Sequence, residues 1–273
     1  IGYADLKPEK TVLYEFGLQQ QLARVLAFEI SAFYKDIRDL LAVQSIRYDS
    51  EKYGPSNYAI YMNKDYGNVK GFTFSLTKRY DRVTKTSAFV DYTYQVTEGN
   101  SVNSGSFYYN ALSGEEEEKR IVPLSWDQRH IFNTTVSVGD PGNWNLGVIS
   151  NLSSGWPYTP NVPNANYVPL PNSGRKPWQW RVDMRLHKNF KMGKFNYVLY
   201  AKIYNLLDRR NERYVFNDTG RAGYTYVFQS TQETKGFKDH YGETGVHTWS
   251  EYQNRPQYYT SPRSINIGFS LDF

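Results

Sequence analysis

Hydrophobic and polar residues alternate with a period of two in several stretches of the chain. In segment 178–187 the even positions carry Trp, Trp, Val, Met and Leu, and the odd positions carry Gln, Arg, Asp, Arg and His. Successive side chains of an extended strand point to opposite faces, so this pattern predicts a strand with one apolar and one polar face. Segment 264–273 repeats the pattern, and its apolar face ends on Phe269, Leu271 and Phe273.

The same alternation predicts nine strands along the chain. They lie near residues 11–22, 25–37, 66–79, 85–97, 127–138, 143–154, 178–190, 194–206 and 263–273. The second of these also fits a helix through the spacing of Leu26, Ile30 and Phe33, and we interpret it as a strand because its neighbours are strands.

The connections between the predicted strands alternate between short and long. The long ones span residues 38–65, 98–126, 155–177 and 207–262. This order places the tight turns at one end of a sheet and the long loops at the other, as in outer-membrane barrels. Greek-key crossings in a soluble sandwich would mix the two kinds of connection. Within the longest loop, residues 214–228 predict a small extra hairpin.

Composition narrows the class of protein. Aromatic residues make up 17% of the chain and the mean hydropathy is −0.67, with no apolar window of about 18 residues that could form a membrane-spanning helix. These values remain compatible with a membrane β-barrel, because polar lumen-facing residues alternate with its apolar lipid-facing residues and lower the mean hydropathy. We therefore predict an all-β fold, an antiparallel transmembrane β-barrel. The alternative is a soluble, tyrosine-rich β-protein whose apolar faces pack on each other.

Several other classes are excluded or disfavoured. The chain has no cysteine, so it has neither disulfides nor thiolate metal sites. Its net charge of +5 comes from basic residues interspersed with acids, which argues against nucleic acid. The four histidines lack metal-ligand spacing, and no nucleophile or zinc motif is present. We predict no enzyme activity, no cofactor and no metal site.

Five motifs, taken in order, resemble one family. The segments LKPEKTVLYEFGLQQQL (6–22), FEISAFYKDIRDLL (28–41), YGNVKGFTFSL (66–76), IYNLLDRRN (203–211) and PRSINIGFSLDF (262–273) are similar to strands in the C-terminal half of TonB-dependent outer-membrane receptors. The fourth has Leu where the family has Phe. PLSWDQRHIFNTTVSV and NDTGRA further resemble receptors with an N-terminal carboxypeptidase-regulatory-like domain.

The resemblance implies an architecture larger than this chain. The family's barrel has about 22 strands around an N-terminal plug, so residues 1–273 would form its last nine strands. Nine is odd, whereas single-chain bacterial barrels have even numbers, so we expect further strands before Ile1. The plug and the remaining strands would be partners within the same protein, and outer-membrane lipid would cover the apolar face.

The resemblance also implies a function in the outer membrane of a Gram-negative bacterium. The expected protein is an import receptor that binds a scarce nutrient at its extracellular loops and passes it to the periplasm, energised through TonB and the inner-membrane complex. Siderophore, cobalamin, glycan and peptide all remain open as ligands, as does a surface lipoprotein on the long loops. The alternative is a passive outer-membrane pore or a surface adhesin.

Two groups of candidate site residues follow. Aromatic side chains suit flat or sugar-like ligands, and the candidate ligand contacts in the loops 155–167 and 214–228 are Trp156, Tyr158, Tyr167, Tyr224 and Tyr226. The second group is Phe269, Leu271 and Phe273. By the resemblance, these form a membrane anchor and the signal that the barrel-assembly machinery reads.

Overall fold

A computed structural model describes residues 4–50, 52, 54–100, 120–161, 169–193, 195–226 and 253–272. The main sheet contains β1 (Lys10–Ala23), β2 (Leu26–Ser50), β3 (Gly54–Asp81), β4 (Thr86–Gly99), β5 (Val122–Pro123), β6 (His130–Asp140), β7 (Trp144–Ser153), β10 (Gln179–Met192), β11 (Phe195–Tyr204) and β12 (Ser264–Asp272). A second, two-stranded sheet pairs β8 (Pro157–Tyr158) with β9 (Gly174–Arg175). Within these ranges, no helix is long and apolar enough to cross a membrane.

Nine long strands follow one another in chain order, and each pairs antiparallel with the next. All nine predicted strands are confirmed, including the segment that also fitted a helix. Short β5 adds to the end of β4. Among the described residues, β1 and β12 each pair on one side only, so the sheet is open between them. The arrangement is an all-β, barrel-like antiparallel sheet.

The predicted long loop over residues 38–65 is wrong. Strands β2 and β3 continue to pair as far as Ser50 and Gly54, so the region is a tall hairpin. A shift in register at residues 37–41 separates it from the lower part of the strands, and Asp39 there has a φ of 61°. The adjacent residues Ala42 and Val43 are both buried, which means that both faces of the hairpin are covered. Covering both faces removes the alternation that marks a one-sided strand.

The register joins the apolar sides of the strands into one continuous face. One row across the sheet consists of Leu18, Ile30, Phe74, Tyr92, Phe132, Leu152 and Trp180. On β12, Ile267 and Phe269 are each 75% exposed, so no described part of the protein covers them. An exposed apolar face of this extent predicts contact with lipid.

The opposite face is polar along a parallel row. It consists of Gln19, Glu29, Ser75, Asp91, Asn133, Asn151 and Arg181. Side chains bond across strands on this face: the Ser75 hydroxyl donates to Asp91 at 2.9 Å, and the Asn151 amide donates to Asn133 at 2.6 Å. A hydrogen-bonded polar wall is typical of the lumen of a large barrel.

Aromatic rings border the apolar face at its long-loop end. Tyr92 stacks on Phe132 with ring centroids 4.2 Å apart, and the His130 ring stacks on Trp178 at 5.6 Å. The Tyr92 hydroxyl also shares a hydrogen bond with His130 Nδ1 at 2.9 Å. Rings with an apolar body and a polar tip favour the membrane–water interface.

The C-terminal anchor residues lie partly within the described structure. Phe269 faces Leu199 and Leu271 faces Tyr197, both on the apolar face. Phe273 lies outside the described residues. The assignment of these residues as an assembly signal remains a prediction.

Two adjacent β6 residues test the assignment of the faces. Val136 lies on the apolar face between Ala88 and Val148, and Thr135 lies on the polar face. We expect Val136→Arg to cost about 2–4 kcal/mol because it places a charge in lipid, and the matched Thr135→Arg to be mild. The measurement is the fraction of full-length protein that migrates as folded on unheated gels. Equal losses for both variants would contradict the assignment.

Candidate functional site

Buried Asp127 joins three segments at the long-loop end of the sheet. Its side chain is fully buried and accepts hydrogen bonds from the backbone N–H of Thr97 at 2.8 Å, from Arg129 Nε at 2.8 Å and from Arg175. Burial alone would lower the pKa of the Arg129 guanidinium, but the hydrogen bond and charge of Asp127 outweigh it, so the pKa is raised. The Asp127 cluster therefore fixes β4, β9 and the start of β6 to one another.

Tyr158 holds two rim loops together. Its ring lies so close to Gly174 and Gly220 that a Cβ atom at either glycine would fall 2.5 Å or less from the ring or its hydroxyl. The backbone N–H of Asn161 also donates to the carbonyl of Asn217 at 2.9 Å. Burial and the negative charge of Asp218 raise the pKa of the Tyr158 hydroxyl. The described parts of the two predicted loops, residues 155–161 and 214–226, are thus packed together.

The extra hairpin predicted over 214–228 is a tight turn with one antiparallel bridge, between Phe216 and Arg221. Two carboxylates stabilise it. Glu212 accepts from Arg221 at 2.7 Å, and Asp218 accepts from the Thr225 hydroxyl at 2.7 Å. Residues 227 and 228 lie outside the described residues.

The predicted ligand contacts occupy different environments on this rim. Trp156 is 39% exposed, and Tyr224 and Tyr226 are 42% and 54% exposed, with their rings edge-to-face at 5.8 Å. Tyr158 is partly buried by the packing just described. Tyr167 lies outside the described residues. Three exposed aromatic side chains are therefore available to a ligand, and the assignment of all five remains a prediction.

A cavity of about 580 Å³ opens on the polar face where β10 and β11 meet the segments after them. Two asparagines of the rim shape it. Asn211 bonds both the N–H and the carbonyl of Trp180, at 2.9 and 3.0 Å. Asn205, with a φ of 54°, donates to the carbonyls of Arg209 and Ser261. Both asparagines are buried, so the cavity has a fixed backbone frame.

The cavity is lined by polar residues that include three arginines and two tyrosines. The lining includes Gln179, Arg181, Tyr204, Arg213, Tyr259 and Arg263. Guanidinium groups bind carboxylates and phosphates through paired N–H donors, and tyrosine rings offer flat surfaces. The lining can therefore hold a solute that combines acidic or hydroxyl groups with a flat body.

This cavity could not be expected from the sequence. Its arginines come from three separate segments, which no spacing rule connects, and only Arg181 carried a signal, as a charged residue on the polar face of a predicted strand. No cluster of His, Asp or Glu suited to a metal ion occurs in the described ranges.

Comparison with known proteins identifies relatives of this chain. Residues 1–206 match the family described as "TonB dependent receptor-like, beta-barrel". No protein with a curated description matches. The outer membrane transporter YddB from Escherichia coli is similar in fold, with a TM-score of 0.60 and 16% identity over 79% of this chain and 31% of that one.

Two further solved structures share the fold. The ferric-catecholate import receptor Fiu from E. coli K12 has a TM-score of 0.50 and 16% identity, over 80% of this chain and 26% of that one. The outer-membrane ferripyoverdine receptor of Pseudomonas aeruginosa, bound to ferripyoverdine, has a TM-score of 0.51 and 14% identity, over 78% and 25%. The chain thus spans between a quarter and a third of the length of these proteins.

Substitution of Asp127 tests the rim cluster. Asp127→Ala would leave Arg129 and Arg175 without their shared carboxylate, which for a buried pair costs about 3–5 kcal/mol. We expect faster amide hydrogen exchange at Thr97 in the full-length protein. Asp81→Ala, at an accessible aspartate that bonds its own turn, serves as the control and leaves Thr97 unchanged. Unaltered exchange in Asp127→Ala would contradict the role of the cluster.

Proposed function

The chain belongs to the TonB-dependent receptor β-barrel family, and we propose that the protein carrying it is an energised import receptor. It binds a scarce nutrient at the long-loop end and passes it to the periplasm, using energy delivered through TonB and the inner-membrane complex. The observation that carries the proposal is the family match over residues 1–206, on a sheet with one apolar and one polar face.

Family membership places the sheet in the outer membrane of a Gram-negative bacterium, as part of a multi-pass β-barrel. Long loops of such barrels are extracellular and tight turns are periplasmic. The rim of Trp156, Tyr224 and Tyr226 then faces the outside of the cell, where a nutrient first meets the receptor. The family consists of receptors and transporters rather than enzymes, in keeping with the lack of a catalytic motif.

We further propose that residues 1–273 form the C-terminal nine strands of a barrel of about 22 strands. In this arrangement the preceding strand of the barrel pairs with β1, the first strand of the barrel pairs with β12, and a plug fills the lumen. The partial coverage of the related receptors, 25 to 31% of their length, supports this division. The barrel-assembly machinery would read Phe269, Leu271 and Phe273.

The nutrient remains open among siderophore, cobalamin, glycan and peptide. The solved structures named above include receptors for ferric catecholates and ferripyoverdine, which supports siderophores as the first class to test. A surface lipoprotein on the long loops would be an additional partner.

Uptake in cells with and without TonB tests this proposal. The full-length receptor is expressed in an outer-membrane host, and ferric siderophores, cobalamin, oligosaccharides and peptides are each supplied in labelled form. We expect one class to accumulate only when TonB is present, while binding to the cell surface persists without TonB. Accumulation that is independent of TonB would instead indicate a passive pore, and binding without any accumulation would indicate an adhesin.

Rim variants then test the ligand contacts. We expect the double variant Tyr224→Ala/Tyr226→Ala to weaken surface binding of that ligand about tenfold, because stacking contacts on exposed rings are lost. Tyr48→Ala, at another exposed tyrosine on the tall hairpin, is the control. Equal binding by both variants would remove these two residues from the site.

A further inference from the structure

Positive charge accumulates on the polar face of β10 and β11. Arg185 lies directly opposite Lys202, and Arg181 lies four residues above Arg185 on the same face. Like charges directly opposite each other destabilise a sheet. A pair retained at this cost suggests that negative charge from elsewhere faces it.

The described residues supply only part of that negative charge, because the Asp183 carboxylate acts on Arg185 through its charge but is bonded to Arg181. The nearest carboxylate, Asp183, bonds Arg181 at 2.9 Å and accepts from the backbone of Asn205. Within the described ranges, Arg185 and Lys202 have no carboxylate at ion-pair distance, and the Lys202 ammonium lies 5.2 Å from the centroid of the Tyr200 ring. The other acids of the polar face lie on distant strands, with Glu15 on β1, Glu29 on β2 and Asp91 on β4.

Two more cationic residues, Arg213 and Arg263, line the rim cavity. Arg213 lies over the Tyr214 ring at 5.5 Å, and one Arg263 N–H reaches the carbonyl of Leu206 at 3.5 Å. Asp208 bonds the backbone of Arg263 rather than its guanidinium. Both guanidinium groups are exposed and lack an ion pair among the described residues, so they are free to bind an anion.

We propose that Arg213 and Arg263, in the cavity beside the Arg181–Asp183 ion pair, bind solutes that carry carboxylate or phosphate groups, and that Arg185 and Lys202 continue the path into the lumen. Planar guanidinium forks bind such groups through two parallel hydrogen bonds. The Tyr204 and Tyr259 rings and the Gln179 amide complete a site for a flat or hydroxylated acid. The inference rests on the proposed import function, because it takes the polar face as the lining of the lumen.

Binding of a fluorescent polyanion to the purified full-length receptor tests the site. The probe is pyranine, a planar pyrene with three sulfonate groups, measured by fluorescence anisotropy against detergent micelles without protein. We expect saturable binding that weakens with added salt and is displaced by citrate and pyrophosphate. The double variant Arg213→Gln/Arg263→Gln should bind about tenfold more weakly, because the charged hydrogen-bond donors to the sulfonate groups are lost.

Arg79→Gln is the matched control, because Arg79 is an exposed arginine at the tight-turn end of β3, whereas the cavity lies at the long-loop end of the sheet. It should leave the affinity unchanged. If the double variant does not fold, the single variants at these exposed positions carry the comparison. Equal affinity in wild type and cavity variants would overturn the proposal. If the cavity variants melt at a lower temperature but bind pyranine with unchanged affinity, the arginines pair with acidic groups of the receptor itself. That result would also overturn the proposal.

This experiment needs no TonB, so its outcome is independent of the import test. Energised uptake of a neutral nutrient, with no pyranine binding, would retain the proposed function and reject the anion site. Pyranine binding without energised uptake would retain the anion site and reject the proposed import function.

Discussion

Hydrocarbon offers no hydrogen bonds, and the rest of this structure depends on that constraint. Each N–H and C=O that crosses the membrane must find a partner in a neighbouring strand. The continuous antiparallel ladder from β1 to β12 provides these partners for every internal strand. The requirement explains why the middle parts of all nine strands are regular, while register shifts and short strands appear at the two ends of the sheet.

Once the backbone is satisfied by the ladder, side chains are free to differ between the two faces. The outward row from Leu18 to Trp180 is apolar, and the inward row from Gln19 to Arg181 is polar, although the two rows are adjacent in sequence. The residues proposed to bind ligand lie where the ladder ends. There Asp127, Tyr158 and Asn211 fix the rim loops by contacts between side chains and backbone, and this leaves aromatic and arginine side chains exposed.

The strands could be predicted from the sequence because only one face of each strand contacts lipid, so apolar and polar residues alternate along it. Segment 178–187 is the clearest case. The upper half of the β2–β3 hairpin could not be predicted, since Ala42 and Val43 are both buried and no alternation survives. The two-residue strands β8 and β9 are too short to carry a period. The cavity was missed for another reason: Arg181, Arg213 and Arg263 are brought together only by the connection after β11, which spacing in the sequence does not reveal.

The tall hairpin formed by β2 and β3 extends well beyond the rest of the sheet. Strands β2 and β3 pair through ten further residues beyond the shift in register, from Leu41 to Ser50. At about 3.3 Å per residue these ten residues span about 33 Å. An epitope or affinity tag inserted between Ser50 and Gly54 would therefore be carried far from the bilayer surface, within reach of antibodies that a dense layer of surface sugars would otherwise keep away.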